Sequence, residues 1–301
     1  MDSLQMDSFL GKKTMALRKT SGLFGLALSA LMLGGLAFGG LAVKAAESDS
    51  SRTQPSENGD PVPLRQSWSF AGPFGTFDQA QLQRGFKVYH DVCSACHSLN
   101  LLSFHDLAAP GGPDFPEAQV KALAATYKIK DGPNDAGEMY ERPGRLSDRL
   151  PSPFPNKEAA AAAFGVAPPD MSDLAKARSY PRPFPLFVFD AFTQYEEQGP
   201  DYIVAILNGY THPDDPNWNE YFPGHKIAMP KPLSDGAVEY TDGSPQTVQQ
   251  YSKDVAAFLY WAAEPKLHDR KEMGFRVILF LIVFASLLYF TKKKIWSSIP
   301  H

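Results

Sequence analysis

Cysteine is scarce in this sequence of 301 residues, and both copies, Cys93 and Cys96, lie in the stretch VYHDVCSACHSL. A zinc site would need two further Cys or His at ligand spacing, and no second Cys pair exists. A disulfide between these two cysteines would close a very small loop and would add little stability. A thioredoxin-like dithiol needs a βαβ setting, which the surrounding sequence lacks. These absences disfavour three common roles of a Cys-x-x-Cys pair and favour the attachment of a large group.

The sequence also lacks the alternating apolar and polar residues of a β-rich protein, and no internal repeat is visible. Apolar spacing and capping residues instead predict helices over residues 76–92, 116–129, 156–166, 199–210 and 247–263. Segments rich in proline, such as LPSPFPN and YPRPFPLF, connect them. The predicted fold class is therefore mostly α, with long ordered loops.

A basic excess is missing as well, since the formal net charge is −4. Residues 1–46 hold five basic and two acidic side chains, so the remainder carries −7. Leaving out four basic residues near the C-terminus gives −11 for residues 47–274. This charge argues against a nucleic-acid partner and suits a basic protein partner.

A long uncharged run, residues 21–43, follows a short basic segment near the N-terminus. Small residues then lead to Ala45 and Ala46. A basic segment, an apolar run and small residues at the cleavage site predict a signal peptide over residues 1–46, cleaved near these alanines. An uncleaved membrane anchor is the alternative, because 23 uncharged residues are long enough to span a bilayer.

A second apolar run near the C-terminus predicts a transmembrane helix over residues 275–291, with Arg276 reaching back to the interface. Three lysines follow at once and place the tail, residues 292–301, on the cytoplasmic side. Residues 47–264 then form an exported domain, and residues 265–274 a juxtamembrane linker. The expected location is the inner membrane of a bacterium, with the exported domain in the periplasm.

Cys93 and Cys96 are followed directly by His97, which completes the Cys-x-x-Cys-His sequence of haem c attachment. Two thioether bonds require cysteines about one helical turn apart. The next residue then directs its imidazole toward the iron. We therefore predict one covalently bound haem c with His97 as an axial ligand.

The second axial ligand is less well determined by the residues alone. The candidates are Met139, Met171, Met229, Met273, His90, His105, His212, His225 and His268. Met229 stands out because prolines stiffen its segment, HKIAMPKPL, and His225 is its rival. His/Met ligation would raise the reduction potential and suit electron transfer, whereas an open site would favour oxygen or peroxide chemistry.

Five blocks of the sequence, in order and spacing, resemble the cytochrome c1 family of the cytochrome bc1 complex (quinol–cytochrome c oxidoreductase). They are RGFKVYHDVCSACHSL, DGPNDAGEMYERPGRLSD, APPDMSDLAKAR, YFPGHKIAMPKPL and DVAAFLYWAAEPKLHDRKEMGF. The resemblance implies a cytochrome c-like fold in which the first helix of the domain packs on the last. It also implies Cys93 and Cys96 as the thioether links, His97 as the proximal ligand and Met229 as the distal ligand.

Further roles follow from the same resemblance. Pro168 and Pro169 would line the haem crevice, and Arg178 and Tyr202 would contact the haem propionates. The chain departs from the family at residues 163–164, where Ala-Phe stands in place of the Asn-Asn of many relatives, and a polar role there would be lost. Residues 179–199 resemble an insertion without an assigned role.

The implied function is one-electron transfer from a Rieske iron–sulfur protein to a soluble or tethered cytochrome c, beside cytochrome b in the complex. No catalytic chemistry of its own is expected on this chain. Its expected partners are these proteins and membrane lipid, and no nucleic acid.

Overall fold

The computed structural model describes residues 61–297 apart from 181, 183 and 194, and these belong to one unit running from Thr53 to His301. The described α-helices are α1 (Gln79–Asp91), α2 (Glu117–Thr126), α3 (Lys157–Phe164), α4 (Leu174–Ala177), α5 (Leu186–Thr193), α6 (Gln198–Asn208), α7 (Val248–Ala263) and α8 (Leu267–Trp296). Two strands, β1 (Lys128–Asp131) and β2 (Tyr140–Pro143), form an antiparallel hairpin. The mostly helical class is confirmed. The predicted signal peptide lies outside the described residues.

The core is built around the crossing of α1 and α7, as the resemblance implied. Gly85 of α1 lies against the backbone of α7, where a Cβ atom would come within 2.1 Å of the Asp254 carbonyl oxygen. This close approach lets the ring of Phe86 pack edge-on against Phe258, with ring centroids 5.6 Å apart. Residues of α7 from Val255 to Ala262 are all buried. The helix that leads into the cysteines is thus fixed to the centre of the domain.

Helix α6 crosses the other side of α7, and short helix α4 packs on both. Asn208, at the end of α6, donates a hydrogen bond to Ser252 of α7 at 2.7 Å. Gly199 near the start of α6 leaves no room for a side chain beneath the Ala175 carbonyl of α4. Arg178 ends α4 and Tyr202 lies in α6, so this packing brings two predicted site residues into one neighbourhood.

The hairpin was not predicted from the sequence. Its strands pair Lys128 with Pro143 and Asp131 with Tyr140, and most of their side chains are exposed. Arg142 binds the carboxylates of Asp131 and Asp148 and so holds the hairpin to the following loop. Because charged residues form these strands, the usual alternating apolar signal is absent. The predicted helix over 116–129 ends at Thr126, where β1 follows.

Helix α8 is 30 residues long, about 45 Å at 1.5 Å per residue. It is long and apolar enough to cross a membrane, and none of its most apolar window is buried in the protein. The predicted span, residues 275–291, lies inside it. The region interpreted as a linker is helical from Leu267 onward, so the described structure joins the domain to the span by a continuous helix.

Candidate haem site

The two cysteines and the histidine lie on one tight turn at the end of α1. Helix α1 ends at Asp91, and a 3-10 helix, Cys93–Ala95, follows directly. The amide groups of Cys96 and His97 both donate to the Cys93 carbonyl, at 3.1 and 2.9 Å. This turn places Cys93, Cys96 and His97 on one short backbone segment, and Cys93 and Cys96 lie within electrostatic reach of each other.

The imidazole of His97 has a defined hydrogen-bonding partner. Its Nδ1 lies 2.8 Å from the Pro169 carbonyl oxygen, which can only accept, so Nδ1 carries the proton and Nε2 presents a lone pair. The side chain is 8% exposed, and burial lowers the pKa of His97 although the Pro169 carbonyl and Asp170 oppose that shift. No hydrogen bond within the described part of the chain engages Nε2. A neutral imidazole with a free Nε2 is what an iron ligand requires.

The Cys93 thiol lacks the lowered pKa of a redox-active cysteine. Both cysteines are free, and burial raises the pKa of Cys93 to about 12, with a smaller contribution from Cys96. A dithiol active in exchange has a lowered pKa, because the thiolate is the reacting form. Within residues 61–297, as far as they are described, no three His, Cys, Asp or Glu side chains cluster to hold a metal ion. The raised pKa of Cys93 therefore argues against a redox role for this pair.

Asp170 joins the proline segment to the cysteine turn, a role that the sequence analysis missed. Its carboxylate accepts from the Ser98 hydroxyl at 2.6 Å and from the Asn100 amide at 2.9 Å. The Met171 amide also donates to the Ser98 carbonyl, at 2.8 Å. Pro168 and Pro169 are therefore held beside His97. The only sequence signal was the position of an aspartate directly after the two prolines.

Arg178 and Tyr202 lie within electrostatic reach of each other. Burial raises the pKa of Tyr202, and the positive charge of Arg178 partly opposes the shift. Arg178 is exposed, and within the described structure its guanidinium bonds only the neighbouring Ala177 carbonyl, at 3.3 Å. The guanidinium is thus available to an anionic group.

Met229 lies in a loop that follows α6 and is braced by hydrogen bonds. The Tyr210 hydroxyl donates to the Met229 carbonyl at 2.8 Å. Asn217 and Ile227 exchange two hydrogen bonds, with the Asn217 side chain donating to Ile227 at 2.8 Å and the Ile227 amide donating back at 2.9 Å. These bonds fix the loop's own backbone, but none of them joins Met229 to His97. The Met229 side chain is partly exposed.

The rival ligand His225 has an aromatic neighbour and a contact with a backbone carbonyl. Its ring stacks on Trp218 with centroids 4.6 Å apart and an interplanar angle of 18°. Its Nδ1 lies 3.2 Å from the Asn219 carbonyl. His212 packs edge-on against the same Trp218.

A buried carboxylate, also missed by the sequence analysis, lies next to Tyr202. Asp201 is fully buried and accepts hydrogen bonds from the Gln66 amide at 3.0 Å, the Trp68 indole at 2.8 Å and the Tyr195 hydroxyl. The Tyr180 hydroxyl lies 2.7 Å from that of Tyr195. This network connects the segment before α1 and the region of residues 179–199 to the start of α6. Hydrogen bonds therefore hold the predicted insertion to the rest of the domain.

Comparison with known proteins identifies the family of this chain. A family model described as "Cytochrome C1 family" matches residues 68–299. The chain belongs to the cytochrome c1 family. The match spans the cysteine turn, the proline segment, the Met229 loop and α8, and the family implies a c-type haem.

Three relatives illustrate the similarity. A "Cytochrome b/c1" of Bradyrhizobium diazoefficiens is 60% identical over 79% of this chain, which spans only 36% of that longer protein. A "Cytochrome c1" of Blastochloris viridis is 49% identical over 80% of this chain and 89% of its own length. A mitochondrial "Cytochrome c1-2, heme protein" of Solanum tuberosum is 43% identical over 76% of this chain and 84% of its own.

Proposed function

We propose that this chain is a membrane-anchored c-type cytochrome that carries single electrons from a Rieske iron–sulfur protein to a cytochrome c within a cytochrome bc1 complex. The observation that carries the proposal is the Cys93–His97 turn with its Nδ1-bonded imidazole, in a chain of the cytochrome c1 family. The name of the Bradyrhizobium relative, which joins b and c1, supports cytochrome b as a partner.

The side chains of this candidate site fit a covalently bound haem. Cys93 and Cys96 would supply the two thioether bonds, His97 Nε2 one axial ligand and the Met229 sulfur the other. A bound haem supplies one-electron chemistry between ferrous and ferric iron. Nitrogen and thioether ligands together favour the ferrous state and raise the reduction potential. The family resemblance of the block YFPGHKIAMPKPL, which lies within the matched residues 68–299, supports Met229 over its rival.

The surrounding residues would orient the group and shield it from water. Pro168 and Pro169 would form an apolar wall beside His97, held there by Asp170. Arg178 and Tyr202 would bind the propionates, one by charge and the other by its hydroxyl. Because Asp201 fixes the start of α6, it would also fix the position of Tyr202.

Covalent attachment is tested first, in the full-length chain expressed with a c-type maturation system. Cys93→Ser and Cys96→Ser should each leave one thioether bond and shift the haemochrome band in alkaline pyridine, and the double variant should lose haem from a denaturing gel. Ser94→Ala is the matched control, because Ser94 lies on the same turn and its hydroxyl donates to the His90 carbonyl at 2.7 Å. Haem retained by the double variant would refute the attachment.

The partners are tested by purifying the tagged full-length chain from its native membranes in mild detergent. Cytochrome b and a Rieske protein should copurify with it in constant ratio. Recovery with terminal oxidase subunits, or alone, would refute the assignment to a bc1 complex.

The orientation of the anchor is the last part of the proposal. The three lysines after the apolar part of α8 support a cytoplasmic tail and a periplasmic haem domain in the bacterial inner membrane. Alkaline phosphatase, which folds only in the periplasm, should be inactive when fused after residue 301. Activity of that fusion would contradict this orientation.

A further inference from the structure

The loop of residues 72–75, with sequence Gly-Pro-Phe-Gly, presents an unusually exposed aromatic side chain. Phe74 is 75% exposed, and its ring packs edge-on against Phe275 of α8, with centroids 5.7 Å apart. Phe275 is itself 53% exposed and begins the apolar part of α8. Phe74 thus lies at the same level along α8 as the start of the candidate membrane span.

The loop is held rigidly in this position. The Lys271 ammonium donates to the Phe70 carbonyl at 2.6 Å and to the Gly75 carbonyl at 3.2 Å. These two bonds hold the backbone before the loop and the last residue of the loop against α8. Phe70 stacks on Tyr260 of α7 with centroids 4.8 Å apart. A side chain at Gly75 would clash with the Ala71 carbonyl at 2.2 Å, so the tight turn needs glycine. The ring of Phe74 is therefore preorganised.

We propose that the Phe74 loop is a second membrane contact, which inserts its aromatic ring at the boundary between the phospholipid headgroups and the acyl chains. Lys271 lies one helical turn, about 6 Å, before Phe275, where a cation suits the headgroup level. A phenylalanine ring is favoured at the boundary between headgroups and acyl chains because insertion there removes its apolar surface from water, while the loop backbone stays among the polar headgroups. A lipid occupant fits better than a protein because the feature is one protruding ring at the level where the span begins, not a groove.

Two points of attachment have a mechanical consequence. A single helix leaves the exported domain free to tilt relative to the membrane plane. A loop bound to the same helix and inserted beside it limits that tilt, and with it the height of the Cys93–His97 turn above the membrane. This inference depends on α8 being a membrane anchor and not on haem chemistry, so it can fail while the proposed function holds.

The test replaces Phe74 with the photoreactive analogue p-benzoylphenylalanine in the full-length chain, irradiates native membranes and determines by mass spectrometry what the loop peptide binds. Phospholipid adducts are expected. The analogue at Phe275 is the positive control. The analogue at Phe164, another exposed aromatic residue whose ring packs on Phe154 in the α3 region, is the negative control and should give no lipid adduct.

Two results would overturn the inference. One is an adduct at position 74 with another protein only, such as a cytochrome b, and the other is no lipid adduct at 74 while position 275 gives one. The analogue at exposed Pro73 in the same loop is the second reporter should the Phe74 variant accumulate poorly, and the same outcomes apply to it.

Discussion

At the residue scale, the orientation of the His97 imidazole rests on a backbone carbonyl. Pro169 has a fixed φ and follows another proline, so its carbonyl direction varies little. Asp170 then ties this rigid segment to the residues after His97 through Ser98 and Asn100. The aspartate therefore acts through Pro169 on the ligand.

We predict that Asp170→Ala destabilises the domain by about 2–4 kcal/mol, because hydrogen bonds to a charged group contribute roughly 1.5–3 kcal/mol each and are not additive. Burial acts to raise the pKa of Asp170, but bonds from Ser172, Ser98 and Asn100 outweigh it and lower the pKa. This stabilisation is present at neutral pH and is lost as pH falls through the lowered folded pKa. Urea unfolding followed by haem absorbance measures it.

Asp173→Ala is the matched control for that prediction. Asp173 is exposed, lies three residues further along, and its side chain caps no helix. Equal losses of stability in the two variants would mean that the Asp170 bonds contribute nothing specific.

Asp201 is expected to have the opposite pH dependence. Burial raises its pKa to about 6, although Tyr195, Gln66 and Trp68 donate to it, and Glu197 adds to the rise. The folded state thus binds the proton more tightly than the unfolded state, so stability should fall as pH rises from about 4 to 6. A shift of about two units corresponds to at most ~3 kcal/mol.

The measurement is the pH dependence of urea unfolding in wild type and Asp201→Asn. The variant should lose this slope, while Asp214→Asn, at an exposed position, should keep it. If the stability of Asp201→Asn still falls between about pH 4 and 6, the pH dependence arises from another titrating group.

At the scale of secondary structure, local sequence signals predicted six of the eight described α-helices, and the short helices α4 and α5 were missed. Asn156 caps α3 by accepting from the Ala159 amide, and Gly165 ends it with φ of 77°, so α3 lies within the predicted range of residues 156–166. Helix α7 begins after Thr247, also as predicted. These features depend on neighbouring residues only, so the sequence carries them directly.

Features that depend on distant residues were not predictable in this way. The bond from Ser98 to Asp170 spans 72 residues, and that from Trp68 to Asp201 spans 133. Arg178 and Tyr202 were predicted as site residues through family resemblance alone, since an exposed arginine and a half-buried tyrosine carry no local signal. The position of Met229 relative to His97 stays a prediction.

The crossing of α1 and α7 yields a prediction at this scale. Gly85→Ala should destabilise the domain by about 3 kcal/mol, because its Cβ would lie 2.1 Å from the Asp254 carbonyl oxygen and 2.6 Å from Phe258 Cβ. Gly274→Ala is the helical control, since nothing lies within 4 Å of its Cβ. Chemical unfolding of both variants in detergent checks this, and equal stabilities would refute the tight crossing.

At the scale of the whole molecule, charge should govern encounter with the electron acceptor. Residues 47–274 carry −11, and this net charge attracts a basic protein over distances that salt screens. Electrostatic steering of this kind mainly affects the association rate.

We predict that the rate of electron transfer to a basic soluble cytochrome c falls roughly tenfold between about 10 mM and 150 mM salt. Stopped-flow oxidation of the reduced chain measures it. An acceptor whose lysines have been acetylated is the control and should react slowly at both salt concentrations. A rate for the basic acceptor that does not change with salt would exclude steering by this domain.

The central claim, a haem ligated by His97 and Met229, is tested most directly by an equilibrium redox titration of the haem in solubilised membranes. Wild type is compared with Met229→Leu and with Met171→Leu, which changes a buried methionine beside the site. We predict a high potential in wild type and Met171→Leu and a large fall in Met229→Leu. An unchanged potential in Met229→Leu would contradict the assignment and direct attention to His225.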